Sequence, residues 1–587
     1  MRLRHFRLGA LIALGGLSLT ACFPASQRPH VKQGDYEELH RQIAALAQAQ
    51  MREHAIEGMS LALVDGPQVI MTAGFGSADK EKQLKASEDT LYQVGSITKL
   101  FTATAIMQLS EQGKLQLDAP LTTYLPEFDI RSRFPDSTPI TLRQLLTHHA
   151  GLPANYLKGF FNPHPPRFTS LLNDLKDEHL ASEPGTLYSY SNVGFSLLGC
   201  VVERVSGERY EEYVERHVLA PIGMRSSGFA PSHPDRLTKT YRKGKFEVEP
   251  DLRDRPAGGL LSSARDMTRF MQAALAQGQL GETALLQPAS MAEMLRPQNV
   301  GVPLDFGFRI GLGWILTHPS LGSVGPVAWH NGSTVHQHAA MIMLPEQGLG
   351  VTVLTNSTGG QIASMAVAEE SLKLLLQAKT GALPSPAEPD APRELSSLDA
   401  LKPFAGSYAT PMGTAELKDG RLALPGQAFD VLPGPLGTYK LKFKLFGLIP
   451  LDLPALKALS LRFETVGTRD VMVLSQNGFT AALGERMTMV PMTGAWRQRL
   501  GRYEVENLGG DYELAKHVAL VEDNGQLALT SQDALGLRPP VKLHLRPLSD
   551  HEAVVSGLGF GLGEVLRIEA SPSGERLLYS GYRLVRR

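Results

Sequence analysis

Ser96-Ile97-Thr98-Lys99 opens the run Leu100-Phe101-Thr102-Ala103-Thr104-Ala105-Ile106-Met107-Gln108-Leu109, apolar on nearly every face. Such a pattern predicts a helix buried all round, with Gly113 as its stop. Residues three apart share a helix face, so the Lys99 amine can reach the Ser96 hydroxyl. A serine hydroxyl is a weak nucleophile until a base takes its proton. A lysine held among apolar groups can be that base, because desolvation disfavours its charged form. Gly95 lets the chain turn sharply into the helix, which places Ser96 where free backbone N–H groups and the positive helix end stabilise an oxyanion.

A second match, Ser77-Ala78-Asp79-Lys80, follows Gly74-Phe75-Gly76 and precedes Lys80-Glu81-Lys82-Gln83-Leu84-Lys85. It reads as a charged, solvated turn between strands and carries no chemistry.

Arg2, Arg4 and Arg7 precede the apolar segment Leu8 to Leu19, which is far short of the ~20 residues needed to cross a bilayer. Leu19-Thr20-Ala21-Cys22 then resembles the lipobox of bacterial lipoproteins. That resemblance implies that Cys22 becomes the lipidated first residue of the mature chain. Phe23, rather than an aspartate, follows it, which implies sorting to the periplasmic side of the outer membrane. Cys200 is the other cysteine, on an apolar helix, and reads as a small core residue. A formal net charge of −1 gives no electrostatic ground for a nucleic-acid partner, and 587 residues are too many for one core.

Gln33 to Met51 reads as an amphipathic helix. Met59 to Val64 and Gln68 to Ala73 read as strands around the turn Asp65-Gly66-Pro67. Helices dominate from Ser96 to about Gln287. Strands return around Gly313-Trp314-Ile315-Leu316, Ala339 to Leu344 and Gly350 to Leu354, before a last helix from about Gln361 to Ala378. Strands at both ends with helices between them predict one antiparallel sheet closed by distant segments, an α+β fold with a helical subdomain. Leu383 to Pro392 is proline-rich and reads as an extended linker. Short alternating runs with Asp-Gly turns follow, an all-β signature. Gly406-Ser407-Tyr408 before Lys418-Asp419-Gly420 is echoed by Gly501-Arg502-Tyr503 before Asp523-Asn524-Gly525. The echo fits either a duplicated β-unit or two hairpins of one barrel. Lys440 to Pro450 alternates basic and apolar residues and reads as a half-buried strand in preference to a lipid-facing segment.

Three further segments accompany Ser96. Tyr188-Ser189-Tyr190-Ser191-Asn192 sets a phenol and a carboxamide two residues apart on a loop entering a helix. A tyrosine beside a lysine can have its pKa lowered and shuttle a proton, and a carboxamide can both donate to and accept from a substrate amide. In Trp329-His330-Asn331-Gly332-Ser333, Gly332 permits close backbone approach, and the Ser333 N–H can pair with that of Ser96 as an oxyanion hole. Thr147-His148-His149-Ala150-Gly151-Leu152-Pro153 is a turn whose histidines read as structural. Phe160-Phe161-Asn162-Pro163-His164 reads equally as a lip of the cleft or a rigid surface loop.

The order Ser96-x-x-Lys99, Tyr190-x-Asn192, His330-x-Gly332 resembles the serine β-lactamase and penicillin-binding-protein superfamily, nearest its class C β-lactamase, D-aminopeptidase and esterase branch. Leu145 to Pro153 and Pro256-Ala257-Gly258-Gly259-Leu260 are similar to linking segments of that branch, and the likeness runs from about Gln33 to Ala378. It implies Ser96 as acylated nucleophile, Lys99 as its proton acceptor or electrostatic partner, Tyr190 as base and acid for the leaving group and water, and Asn192 as the orienter of the acyl-side amide. Lys99 and Tyr190 titrate as a coupled pair, so the sequence leaves open which is the base. The third motif departs from the lysine-threonine-glycine of lactamases. Histidine is largely neutral at pH 7, so His330 offers no fixed charge to a substrate carboxylate and efficient β-lactam hydrolysis is not expected. Lys379-Thr380-Gly381 spells the lactamase motif but ends a helix and is rejected as a decoy.

The expected organisation is a signal segment over residues 1–22, a serine hydrolase domain over 23–380, a linker over 381–394 and an all-β, lipocalin-like region over 395–587 with one barrel or two. The expected function is hydrolysis of esters or D-amino-acid amides at the bacterial envelope, on small-molecule or peptide substrates, with a lipid anchor and with no cofactor or metal. A β-lactamase or D,D-peptidase is the second reading, and a lipid-anchored binding protein of weak catalytic power is the third.

Overall fold

The computed structural model describes residues 30–587 except 384–393, 426, 436, 446–448, 452–455, 457, 477–478, 537–539 and 573. The signal segment with Cys22 and most of the proline-rich linker therefore lie outside the described residues. Among the described residues no helix is long and apolar enough to cross a membrane.

The sheet forms from strands at the two ends of the first domain. Strands β1 (Gly58–Asp65), β2 (Gln68–Asp79), β3 (Leu84–Lys85), β4 (Ala328–Ser333), β5 (His338–Leu344) and β6 (Leu349–Thr355) lie in the order β4-β5-β6-β1-β2-β3. The pairings are antiparallel throughout. Side chains alternate across a strand, and the two faces divide accordingly. Leu61 and Leu63 of β1 pack with α1 (Tyr36–His54) and the chain's last long helix, Gly360–Thr380. Ala62 and Val64 face the helical region.

That region is built around α2 (Thr98–Glu111), buried from Thr98 to Leu109 as its all-apolar surface requires. Beside it lie α3 (Asn192–Ser206) and α4 (Ala264–Leu275). The sequence reading is corrected in two places. Ser77 belongs to β2, not to a turn, while Lys80 pairs with Glu57 at 3.1 Å. Gly313 to Leu316 forms no strand: Ile315 makes isolated bridges to Ile310 and Trp329. Lys379, of the decoy motif, ends helix α5 (Gly360–Thr380) and pairs with Asp65 at 2.6 Å.

Beyond the linker stand two β-barrels with separate cores. In the first, eight strands from Gly406–Thr410 to Phe479–Arg486 form a ring closed by the pairing of Gln427–Pro433 with Tyr439–Leu445, and Ile449–Leu451 adds a short hairpin strand. The second closes eight strands in sequence order, from Gly501–Val505 to Tyr582–Arg586. The sequence echo falls at equivalent places in the two. Tyr408 and Tyr503, on the first strand of each barrel, both donate to the carbonyl four residues earlier, Phe404 and Arg499, at 2.7 Å. Asp419-Gly420 and Asn524-Gly525 both turn the second strand into the third with positive φ. In the Lys440 segment, Tyr439, Leu441 and Phe443 are buried and Lys442 points out, a half-buried strand.

Candidate active site

Gly95, at φ +55°, turns the chain out of Val94 into a single 3-10 turn, Gly95–Ile97, that carries Ser96 onto α2. The edge strand β4 lies against this turn because two glycines leave room. A Cβ on Gly332 would fall 1.9 Å from the Val94 carbonyl oxygen and 3.1 Å from the Ser96 nitrogen. One on Gly95 would fall 2.5 Å from the Ser333 nitrogen. The amides of Ser96 and Ser333 thus lie side by side at the hydroxyl.

Lys99 is fully buried, and its Nζ has three neighbours: Ser96 Oγ at 3.2 Å, Asn192 Oδ1 at 2.7 Å and the Ala257 carbonyl at 2.7 Å. Burial pushes this amine well below the ordinary lysine range, opposed by the negative charge of Asp254. A neutral amine has two N–H bonds and one lone pair. Two of the three neighbours can only accept, so the lone pair is left for the Ser96 hydroxyl. The Ala257 carbonyl comes from the Pro256-Ala257-Gly258-Gly259-Leu260 segment, which wraps α2. Thr102 Oγ1 donates to the Pro256 carbonyl at 2.6 Å, and the Leu260 N–H donates to Thr98 Oγ1 at 3.1 Å.

The phenol of Tyr190 hydrogen-bonds the Ser96 hydroxyl. Its ring lies 4.8 Å from Lys99 Nζ. Burial pushes this phenol above the ordinary range, with the Ser96 hydrogen bond acting against it. The lowering expected from a neighbouring lysine does not prevail, because burial of the phenol outweighs it. His148 stacks beneath Tyr190, ring centroids 4.4 Å apart, and its Nδ1 accepts from the Ser191 N–H at 3.0 Å. His149 bonds Asp305 at 2.8 Å. His330 is buried on β4, donates from Nδ1 to the Asn331 carbonyl at 2.6 Å, and is pushed down to about 3 by burial and then by Lys99. It is a neutral ring, 6.2 Å from that of Tyr190.

Ser96, Lys99, Tyr190, Asn192, His330, Gly332 and Ser333 therefore converge. Nothing in the sequence marks what holds Asn192. Its Nδ2 donates to Asn155 Oδ1 at 2.7 Å, and Asn155 lies on a loop gripped by the second barrel. Ser580 Oγ donates to the Asn155 carbonyl at 3.1 Å and accepts from the Leu157 N–H at 2.8 Å. Buried Glu564 accepts from the Ala154 N–H at 3.0 Å and from Tyr579 at 2.6 Å. Asp511 takes Lys158 at 2.8 Å, the Gly159 N–H at 2.9 Å and Asn162 at 2.7 Å. The Phe160-Phe161 segment is thus neither cleft lip nor free surface loop but a seam between domains, where Tyr512 N–H meets the Phe161 carbonyl at 2.8 Å. Arg253, also buried, donates to Asp254 at 2.6 Å and to the Lys158 and Tyr156 carbonyls at 2.7 and 2.8 Å. A local clue to this pair was the charged run Asp251 to Arg255, set directly before an apolar glycine turn.

The family model described as Beta-lactamase matches residues 43–371. PbpX of Bacillus subtilis (strain 168), whose name marks it a candidate penicillin-binding protein, is 32% identical over 260 residues, 42% of this chain and 63% of PbpX. The chain thus spans less than two thirds of that relative. The D-alanyl-D-alanine-carboxypeptidase/endopeptidase AmpH of Escherichia coli (strain K12) is 28% identical over 314 residues, 51% of this chain and 78% of AmpH. The octameric penicillin-binding protein homologue from Pyrococcus abyssi superposes with a TM-score of 0.51 at 22% identity, covering 93% of this chain and 99% of that one, a likeness of fold.

Proposed function

The chain belongs to the beta-lactamase family, a family of serine hydrolases, and from that premise we propose that it hydrolyses esters or D-amino-acid amides through an acyl-enzyme on Ser96. The observation that carries the proposal is the enclosed Lys99 amine, held by Asn192 and Ala257 with its third position on Ser96 Oγ. Ser96 Oγ attacks the substrate carbonyl carbon while its proton passes to Lys99. The amides of Ser96 and Ser333 receive the oxyanion. Tyr190, bonded to the same hydroxyl, hands a proton to the departing alcohol or amine as the C–O or C–N bond breaks. The proton on Lys99 then restores Tyr190, a water attacks the ester carbon and gives its proton to the pair, and the C–Oγ bond breaks as Ser96 Oγ takes a proton back from them and the acid leaves. Asn192 orients the acyl-side amide.

A fluorophosphonate probe and a chromogenic short-chain ester test this directly. Wild type is expected to be labelled and to turn over the ester, and Ser96→Ala to do neither. Equal labelling of the variant refutes the assignment.

A D,D-peptidase is the second reading, favoured by the similarity to AmpH over most of its length. It predicts saturable labelling by a fluorescent penicillin. Turnover of β-lactams is expected to be slow, because the neutral His330 stands where a lysine would hold their carboxylate. We also propose that Cys22 carries a lipid anchor at the envelope. Membrane fractionation tests that: Cys22→Ala is expected in the soluble fraction, and its retention with membranes removes the proposal.

A further inference from the structure

A cavity of about 300 Å³ lies where the helical region and both barrels meet. Arg133 and Ser189 reach its wall from the helical region, Arg469, Glu485 and Arg486 from the first barrel, and Arg546 from the second. The four guanidiniums face a single carboxylate in the lining, and their charges are unequally matched. Arg469 pairs with Glu485 at 2.7 Å, and Arg486 pairs with Asp470 behind it. Arg133 spends one terminal nitrogen on the carbonyls of Leu180, Ala181 and Gly563, while its enclosed Nε–H meets no hydrogen-bond partner among the described residues. Glu552 attracts Arg133 from outside the lining but lies 3.7 Å from His179 Nε2. Arg546 has no ion pair or side-chain hydrogen bond among the described residues.

Burial pushes the Arg133 guanidinium below its ordinary range. Arg546 and Arg469 push it the same way, and only Glu552 opposes them. Like charges drawn from three separately cored units onto one cavity repel one another unless an anion lies between them. Planar guanidiniums suit a carboxylate or phosphate there, which they can bind through paired N–H groups.

We propose that this cavity is a binding site for a small carboxylate- or phosphate-bearing anion, held between Arg133 and Arg546. The volume fits one amino-acid-sized or phosphate-sized group. The site also adjoins the catalytic cleft. Ser189, on its wall, precedes Tyr190 in the chain. Gly557, Gly559 and Gly563 also line it, and Phe560, between them in the chain and 46% exposed, sets its ring 6.1 Å from that of Tyr190.

Titration calorimetry of the full chain at low salt, with inorganic phosphate and separately with N-acetyl-D-alanine, tests the site without reference to catalysis. Wild type is expected to bind at least one probe saturably, Arg546→Gln at least tenfold more weakly, and Arg269→Gln, which removes an exposed charge on α4, as well as wild type. Phosphate binding alone assigns the site to phosphate esters, and N-acetyl-D-alanine binding alone to peptide carboxylates; either supports it. Should Arg546→Gln fail to fold, Arg546→Lys keeps the charge and loses the planar fork, and is expected to bind at least threefold more weakly. No saturable binding of either probe to wild type, or undiminished binding by the folded variant, overturns the proposal.

Discussion

Asn155→Asp changes one atom of the catalytic support and makes a quantitative demand on Lys99. The introduced carboxylate still accepts from Asn192 Nδ2, so the geometry is retained, but a negative charge now stands behind Asn192. Two hydrogen bonds of 2.7 Å separated by one carboxamide put that charge within about 8 Å of Lys99 Nζ. At an effective dielectric of about 20, a unit charge at that distance favours the ammonium by about 2 kcal/mol, equivalent to about one and a half pH units. On the proposed mechanism Lys99 is the neutral base, so activity is lost as pH falls through its pKa. A charge that stabilises the ammonium moves this loss to higher pH. The acid limb of kcat/KM for a chromogenic ester reports the free enzyme and is the quantity to measure. Asn155→Asp is expected to shift it upward by about one to one and a half pH units. Asn155→Ala adds no charge, so its limb stays in place while kcat falls about three- to tenfold through the lost hydrogen bond. An unmoved or lowered limb in Asn155→Asp, in protein that still labels at Ser96, refutes Lys99 as the neutral base.

Other perturbations test the remaining parts. Gly332→Ala puts a Cβ 1.9 Å from the Val94 carbonyl, so β4 must retreat and take the Ser333 amide with it; kcat is expected to fall by about a hundred- to a thousandfold with the melting temperature little changed. Glu564→Ala orphans two buried donors, the Ala154 N–H and the Tyr579 hydroxyl, at about 1–3 kcal/mol each. Chemical denaturation is expected to show a loss of about 2–6 kcal/mol, and Glu564→Gln, which keeps an acceptor, a clearly smaller one. Lys99→Met is expected to raise thermal stability while ending ester turnover. The unfolded chain binds a proton at Lys99 that the buried site resists, so this site destabilises the fold below the ordinary lysine pKa and ceases to do so as pH rises toward it. The gain in melting temperature should therefore be largest near neutral pH and shrink toward about pH 10, and a gain independent of pH contradicts the cause.

The part of the fold set by local periodicity was legible. Helix α2 has one reading because nearly every face is apolar, and the two strands are short apolar runs parted by the turn signal Asp65-Gly66-Pro67. The candidate site residues could be singled out because each stands in a short motif, and the structure brings those motifs together. Gly313 to Leu316 misled because a short apolar run suits a strand and a buried loop equally, and only its neighbours decide. The Tyr190 pKa was misjudged for a different reason. Proximity to lysine is readable in sequence, but the burial that raises the phenol is a property of the assembled domain. Asn155, Glu564 and Ser580 had no local signature at all. Asn155 and Ser580 are joined across 425 positions, and Ser580 is an ordinary turn residue until the second barrel docks.

On the proposed mechanism that docking decides how Lys99 is held against Ser96. A buried amine keeps its lone pair on Ser96 only while Asn192 and Ala257 occupy its other two directions. Ala257 is secured within the first domain by the wrap around α2. Asn192 is secured through Asn155, whose loop makes its hydrogen bonds to Ser580, Glu564 and Asp511 of the second barrel. Were the barrel a passive appendage, Ser580→Ala would leave kcat unchanged and alter stability alone. Its hydroxyl instead joins the Asn155 carbonyl to the Leu157 N–H, so its loss frees the loop on both sides of Tyr156. The expected result is a lower kcat at nearly unchanged KM, because the group displaced acts on the lysine and not on the bound substrate. Ser580→Thr, which keeps the hydroxyl, should recover most of it. A fall in KM-dependent terms alone would place the barrel's role in substrate access instead.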